Sequence, residues 1–179
     1  MKKMKIYIFL VFLTLWLPAL SRASVADSTV NGFTVKFEQV IQVLPDSLFV
    51  IITRDVSKWW NPEHTFSGKA SNLSIEPRAN GCFCEKLGNG GSVRHMEVVF
   101  ALPGKTLRLE GGLGPLQMFG VAGSMTFSLK PDGKNGTKLI LQYSVGGYIP
   151  GGAQKWSVLV DHMLGEQLTR LKNFVEGMR

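Results

Sequence analysis

Residues 153–178 read AQKWSVLVDHMLGEQLTRLKNFVEGM, and the spacing of apolar side chains in this stretch decides the fold. Trp156, Leu159, Val160, Met163, Leu164, Leu168, Leu171, Phe174, Val175 and Met178 recur at the i, i+3, i+4, i+7 spacing of one helix face. A helix of about 25 residues is about 38 Å long at a rise of 1.5 Å per residue, long enough to cross a small domain. Its stripe needs a broad apolar partner, and the chain before it reads as strands.

Residues 33–43, FTVKFEQVIQV, alternate as a first strand rich in β-branched and aromatic side chains. Residues 25–31 are polar and read as an unstructured start. Leu44-Pro45-Asp46 opens a short helix, because proline suits the first helical position and an acidic residue complements the helix dipole. DVSKWW adds a second short helical turn, stopped at Asn61-Pro62. Six further strands are expected over residues 70–76, 81–87, 92–101, 106–111, 122–130 and 137–145, separated by Gly- and Pro-rich turns such as GNGG, LPGK and PDGKNG. The result is an α+β layout: a curved antiparallel sheet of about seven strands wrapped around a long C-terminal helix, with two short helices after the first strand.

Turn positions fix an expected register. A turn centred on Asn89-Gly90 opposes Glu85 with Arg94, Cys84 with His95, Phe83 with Met96 and Cys82 with Glu97. A turn at Pro103-Gly104 opposes Val98 with Leu109, Phe100 with Leu107 and Glu97 with Glu110. One face then carries Phe83, Met96, Val98, Phe100, Leu107 and Leu109, with Glu85 and Arg94 as an inward ion pair near its rim. The opposite face carries Cys82, Cys84, His95, Glu97, Arg108 and Glu110. The apolar face is the one expected beneath the long helix.

The first residues read as a leader. Lys2, Lys3 and Lys5 precede an unbroken apolar run over residues 6–20, and Ser21-Arg22-Ala23 offers small residues for cleavage. The run is shorter than the roughly 20 residues of a membrane span and ends near Pro18. Residues 1–23 are therefore expected to be a signal peptide, and residues 24–179 a single domain, periplasmic or secreted, with no stable membrane span after cleavage. Of 20 Lys and Arg, four (Lys2, Lys3, Lys5 and Arg22) lie in the leader; the remainder carries 16 basic against 13 acidic residues, a net of +3 rather than +7. So small an excess argues against nucleic acid as a partner. Export places Cys82 and Cys84 in an oxidising compartment, where they read either as a strained bridge between i and i+2 or as two small hydrophobes in a sheet.

The layout resembles the START-like or SRPBCC superfamily, the helix-grip fold, on residues 56–68 (VSKWWNPEHTFSG), 94–116, 136–148 and the closing helix. It looks closest to the branch named for a cytosolic chaperone ATPase activator and to polyketide-cyclase-like groups. The resemblance implies a cavity between helix and sheet that holds an apolar or amphipathic small molecule or lipid. A leader departs from the cytosolic members, since an exported protein does not meet that chaperone or its ATP.

Motif chemistry is sparse. His64, His95 and His162 have no metal-binding spacing, there is no GxSxG, and the glycine loops lack a phosphate-binding lysine, so no cofactor or metal is expected. Cys82, Cys84, His95 and Glu97 form a soft-metal set only if their face converges, and the expected register turns that face outward. The cavity candidates are instead polar or aromatic residues on apolar faces. Gln167 falls in the middle of the helix stripe and needs a partner or a ligand. Tyr143 shares the alternation of Leu139 and Leu141. Trp59, Trp60 and His64 lie where the resemblance puts a cavity mouth, one tryptophan as a plug and the other as a lid; Met163 and Phe127 complete the lining set. Two functions follow: an exported binding module, or a cyclase, dehydratase or hydrolase using Glu85, Arg94, His64 or Tyr143 as general acid or base. A third, an envelope interaction module, would use the exposed sheet face or the tryptophan-rich loop.

Overall fold

The computed structural model describes residues 24–178. The expected leader, residues 1–23, lies outside the described residues. Eleven regular elements follow in order: β1 (Ser24–Thr29), β2 (Gly32–Ile41), α1 (Pro45–Arg54), α2 (Val56–Trp59), β3 (Leu73–Ile75), β4 (Gly81–Lys86), β5 (Ser92–Leu102), β6 (Thr106–Glu110), β7 (Gly120–Asp132), β8 (Gly136–Tyr148) and α3 (Ala153–Glu176). The strands form one antiparallel sheet in the order β1-β2-β8-β7-β6-β5-β4-β3.

The sheet has eight strands, not about seven. The additional strand is β1, expected to be unstructured because it is polar. It sits at the sheet edge and pairs with β2, Val25 opposite Val35 and Thr29 opposite Gly32. Side chains 26–29 are exposed, so backbone pairing rather than burial places it there. The strand expected from residue 70 begins only at Leu73, after a 3-10 turn over Ala70–Asn72.

Helix α3 takes the expected span. Its buried residues include Ser157, Val160, Leu164, Gln167, Leu168, Leu171 and Val175, a 3.6-residue stripe. It packs chiefly on β1, β2 and α2. Among the described residues no helix is long and apolar enough to cross a membrane.

The core is the inner sheet face plus α1, α2 and this stripe, and the expected apolar set is in it apart from one residue. Phe83, Met96, Val98, Leu107 and Leu109 are buried; Phe100 is 45% exposed. A bulge between Val98 and Phe100 places Phe100 opposite Arg108 and Ala101 opposite Leu107. The extra residue reverses the pleat, and Phe100 lies outside with the Arg108 guanidinium 5.9 Å from its ring centre.

A second bulge in β5 matters more. Cys82 opposes Glu97 and Phe83 opposes Met96 as expected, but Cys84 then opposes Arg94 and Glu85 opposes Val93. His95 is the extra residue. It is 5% exposed beside buried Met96, whereas Arg94 points outward and pairs with Glu97 at 2.7 Å. The expected Glu85–Arg94 pair is therefore replaced by Glu85–His95. The soft-metal set is also taken apart: His95 leaves that face, and Cys82 and Cys84 are bonded to each other.

Candidate functional site

A cavity of about 580 Å³ lies between the first half of α3 and the β3–β5 end of the sheet. Leu73, Phe83 and His95 form the sheet wall; Trp156, Val160 and Met163 face them from α3. Residues 113–116, at the start of the 3-10 turn Gly114–Met118 after β6, line one side, and the loop carrying Trp60, His64 and Phe66 lines the other. A volume of this size suits a small organic molecule, and the lining is mostly aliphatic and aromatic.

Each wall has a local cause. Tyr143, wholly buried on β8, donates to the Gly111 carbonyl at 3.0 Å and accepts from the Leu113 N–H at 2.9 Å, which fixes the chain entering residues 113–116. Burial pushes its hydroxyl up to about 12, so it stays protonated. Gly123 makes room for that ring: a Cβ there would stand 2.8 Å from the Tyr143 oxygen.

The 60–67 loop is held at both ends. Near α3, the Asn61 N–H donates to Gln167 Oε1 at 2.7 Å, Asn61 Nδ2 donates to Glu166 Oε1, and His64 Nε2 lies 3.0 Å from Glu166 Oε2. The His64 contact is the main cause that holds the Glu166 carboxyl below its ordinary value. At the far end, the N–H groups of Phe66 and Ser67 both donate to the Glu85 carboxylate. Replacing Glu166 by alanine should speed amide hydrogen exchange at residues 61–66 while lowering global stability by only about 1 kcal/mol, since the carboxylate is partly solvated. Unchanged exchange in that loop would refute its role as a clasp.

Glu85 and His95 form the polar element of the sheet wall. Both are buried, and His95 Nε2 lies 2.9 Å from Glu85 Oε2. Phe66 stacks on the imidazole at 5.8 Å and Phe83 packs at 5.2 Å. Burial pushes the Glu85 carboxyl up, but hydrogen bonds from Ser67, Phe66 and His95 outweigh it and hold it below its ordinary value. For His95, burial pushes the imidazole down and outweighs the opposing pull of Glu85. The pair is thus a carboxylate facing a neutral histidine.

Both shifts have the same sign for stability. As pH falls below 6.5, the ordinary histidine value, the unfolded chain takes up a proton that folded His95 refuses, so this contribution to stability declines toward the folded value. Glu85 adds a second decline below its ordinary 4.5. Denaturant midpoints should fall on acidification from neutral pH, with the first step missing in His95→Phe. An identical profile in that variant would refute the assignment.

The structure separates the nine residues expected at a cavity. Trp60, His64 and Met163 line it. Glu85 lies behind His95 without lining it, and Arg94 faces solvent because of the bulge. Tyr143 and Phe127 are core residues with their partners inside the fold. Trp59 is the plug, its Nε1 donating to the Ile51 carbonyl, while Trp60 walls the cavity with its Nε1 on the His64 carbonyl. Gln167 is buried as its wheel position requires, but it serves the Asn61 N–H and the Met163 carbonyl instead of the cavity. The main residue not expected there is His95. One signal was present: Arg94 and Glu97, three apart, share the outer face only if the strand holds an extra residue between them.

No family model matches the chain, and no curated protein matches it in sequence. Solved structures share its fold. A conserved protein of unknown function from Enterococcus faecalis aligns with TM-score 0.56 and 17% identity over 86% of this chain and 77% of its own. CalU16 from Micromonospora echinospora gives TM-score 0.56 and 16% identity over 88% and 84%. DynU16, from the dynemicin biosynthetic locus, gives TM-score 0.54 and 17% identity over 80% of this chain and 47% of its own.

Proposed function

We propose that this protein binds an apolar or amphipathic small molecule in the cavity between α3 and the sheet, as an exported, non-catalytic member of the helix-grip, START-like group. The cavity of about 580 Å³ carries the reading. Its walls are built from the fold's own supports, with Tyr143 holding one and the Glu166 clasp another, so the space is preformed. CalU16 and DynU16, the latter from the dynemicin biosynthetic locus, share the fold that houses this cavity. Export rests on the leader, and N-terminal sequencing of the processed protein tests it by beginning just after residue 23.

The binding test is direct. Purified protein should release a small molecule into organic solvent, or bind anilinonaphthalene sulfonate saturably at one site. Met163→Trp, which intrudes into the cavity from its α3 wall, should weaken that binding at least tenfold with stability changed by less than about 1.5 kcal/mol. Neither extractable nor saturable binding would sink the reading. The Glu85–His95 pair favours a second reading, a cyclase or dehydratase in which the imidazole takes a proton from an apolar substrate. Chemical conversion of the bound molecule would distinguish it. Arg94, His64 and Tyr143 lend that reading little, being at the surface, paired with Glu166 and saturated by backbone respectively.

A further inference from the structure

The Cys82–Cys84 disulfide encloses a single residue, Phe83. A cross-link stabilises mainly by constraining the unfolded chain, and so short a loop constrains it little. β4 is already laddered on both sides, to β3 and to β5. As a staple the bond is close to redundant. It is also within reach of solvent: both cysteines are part-exposed on the outer face, where Cys84 lies between exposed Ser74 and exposed Arg94. The bond does shape β4. The two Cα atoms stand 5.3 Å apart, against about 6.7 Å for two steps of an extended strand. With consecutive Cα atoms about 3.8 Å apart, that shorter span lifts the intervening Cα about 0.9 Å farther from the line joining its neighbours. The cysteines face outward, so the displacement carries Phe83 inward. Its ring belongs to the sheet wall of the cavity, 5.4 Å from the Trp60 ring and 5.2 Å from the His95 ring. The β5 bulge falls at the same place, since the register shifts between Phe83 and Cys84, inside the cross-linked span.

We propose that Cys82–Cys84 is a reversible thiol–disulfide site whose redox state sets how far Phe83 stands into the cavity wall. The co-reactant is a dithiol. One of its thiolates attacks one cysteine sulfur, and the S–S electron pair leaves on the other cysteine as a thiolate, which takes up a proton. The second thiolate of the dithiol then attacks its own sulfur in the mixed disulfide and releases the first cysteine, which is protonated in turn. Two electrons and two protons end on Cys82 and Cys84, and the dithiol becomes a disulfide. The reduced strand is free to extend, and Phe83 withdraws toward the outer face. The site stands whether or not the cavity holds a ligand.

Dithiothreitol added to the folded full chain tests this. Alkylation followed by intact mass should count two thiols while circular dichroism stays that of the folded protein, and exchange into oxidised glutathione should return the count to zero. In the reduced form the Trp60 indole N–H resonance should shift, and Overhauser contacts between the Phe83 and Trp60 rings should weaken by at least half. Cys82→Ser with Cys84→Ser should reproduce the reduced spectrum without reductant. Phe83→Leu should keep two reducible thiols and lose the Trp60 shift; if that variant fails to fold, the ring contacts in the natural chain decide. Thiols that appear only as the chain unfolds would make the bond a structural staple and overturn the proposal. Full reduction, or loss of both cysteines, with Trp60 unmoved would overturn it too. Either result leaves the binding reading standing, and a cavity that binds nothing leaves this site standing.

Discussion

Replacing Glu85 by leucine should lower folding stability by about 3–6 kcal/mol, a large part of the 5–15 kcal/mol of an ordinary domain. The side chain is wholly buried and accepts from the Phe66 N–H, the Ser67 N–H and His95. Leucine fills the volume but accepts nothing. Two part-buried backbone donors and one buried imidazole N–H then lose their partner, and an unmet buried donor costs about 1–3 kcal/mol, less where water reaches it. The urea midpoint should drop with the slope unchanged. Adding His95→Phe should restore part of the loss, because removing both ends of a buried polar pair is less harmful than removing one. It should not restore all of it, since the two backbone donors remain. A single variant within 1 kcal/mol of the natural chain would mean that water reaches this site.

The two adjacent tryptophans should respond differently to truncation. Trp59→Ala should cost about 3–5 kcal/mol, the usual range for a large aromatic side chain removed from a packed interior. Trp59 is buried, donates to the Ile51 carbonyl, and its own carbonyl receives Arg170 Nε at 3.1 Å, so it joins α1, α2 and α3. Trp60→Ala should cost less. One side of that ring already borders open space, so fewer packed contacts are lost and the cavity grows instead. Thermal unfolding ranks the pair, and probe binding should survive in Trp60→Ala. Equal losses would place both rings in the same solid core.

How much of this was legible in the sequence depends on whether a feature repeats. The α3 stripe repeats every turn, and the β7 and β8 alternation runs across 13 residue pairs, so both stand out from their pattern alone. The first hairpin pairs Phe83 with Met96 and the second Val98 with Leu109 as turn chemistry requires. Single irregularities have no period to betray them. The two bulges in β5 each shift the pleat by one residue, and they moved His95 in and Phe100 out. β1 leaves no pattern for a different reason: an edge strand can be held by its backbone, and its polar side chains then say nothing about pairing. The wheel puts Gln167 on the buried stripe but does not distinguish a backbone N–H from a cavity ligand as its partner, and the partner is the Asn61 N–H.

The bulge at His95 has a consequence for how such a chain could change. Deleting that one codon would return β5 to a regular ladder, with Met96 still inward and Arg94 still outward. Every neighbouring side chain would keep the face it already occupies. The hydrogen-bonding group in an apolar wall is therefore separable from the architecture by a single insertion or deletion, whereas most polar groups in a core are woven into it. Lineages that differ by that one residue would share a scaffold and differ in the polarity of one cavity wall.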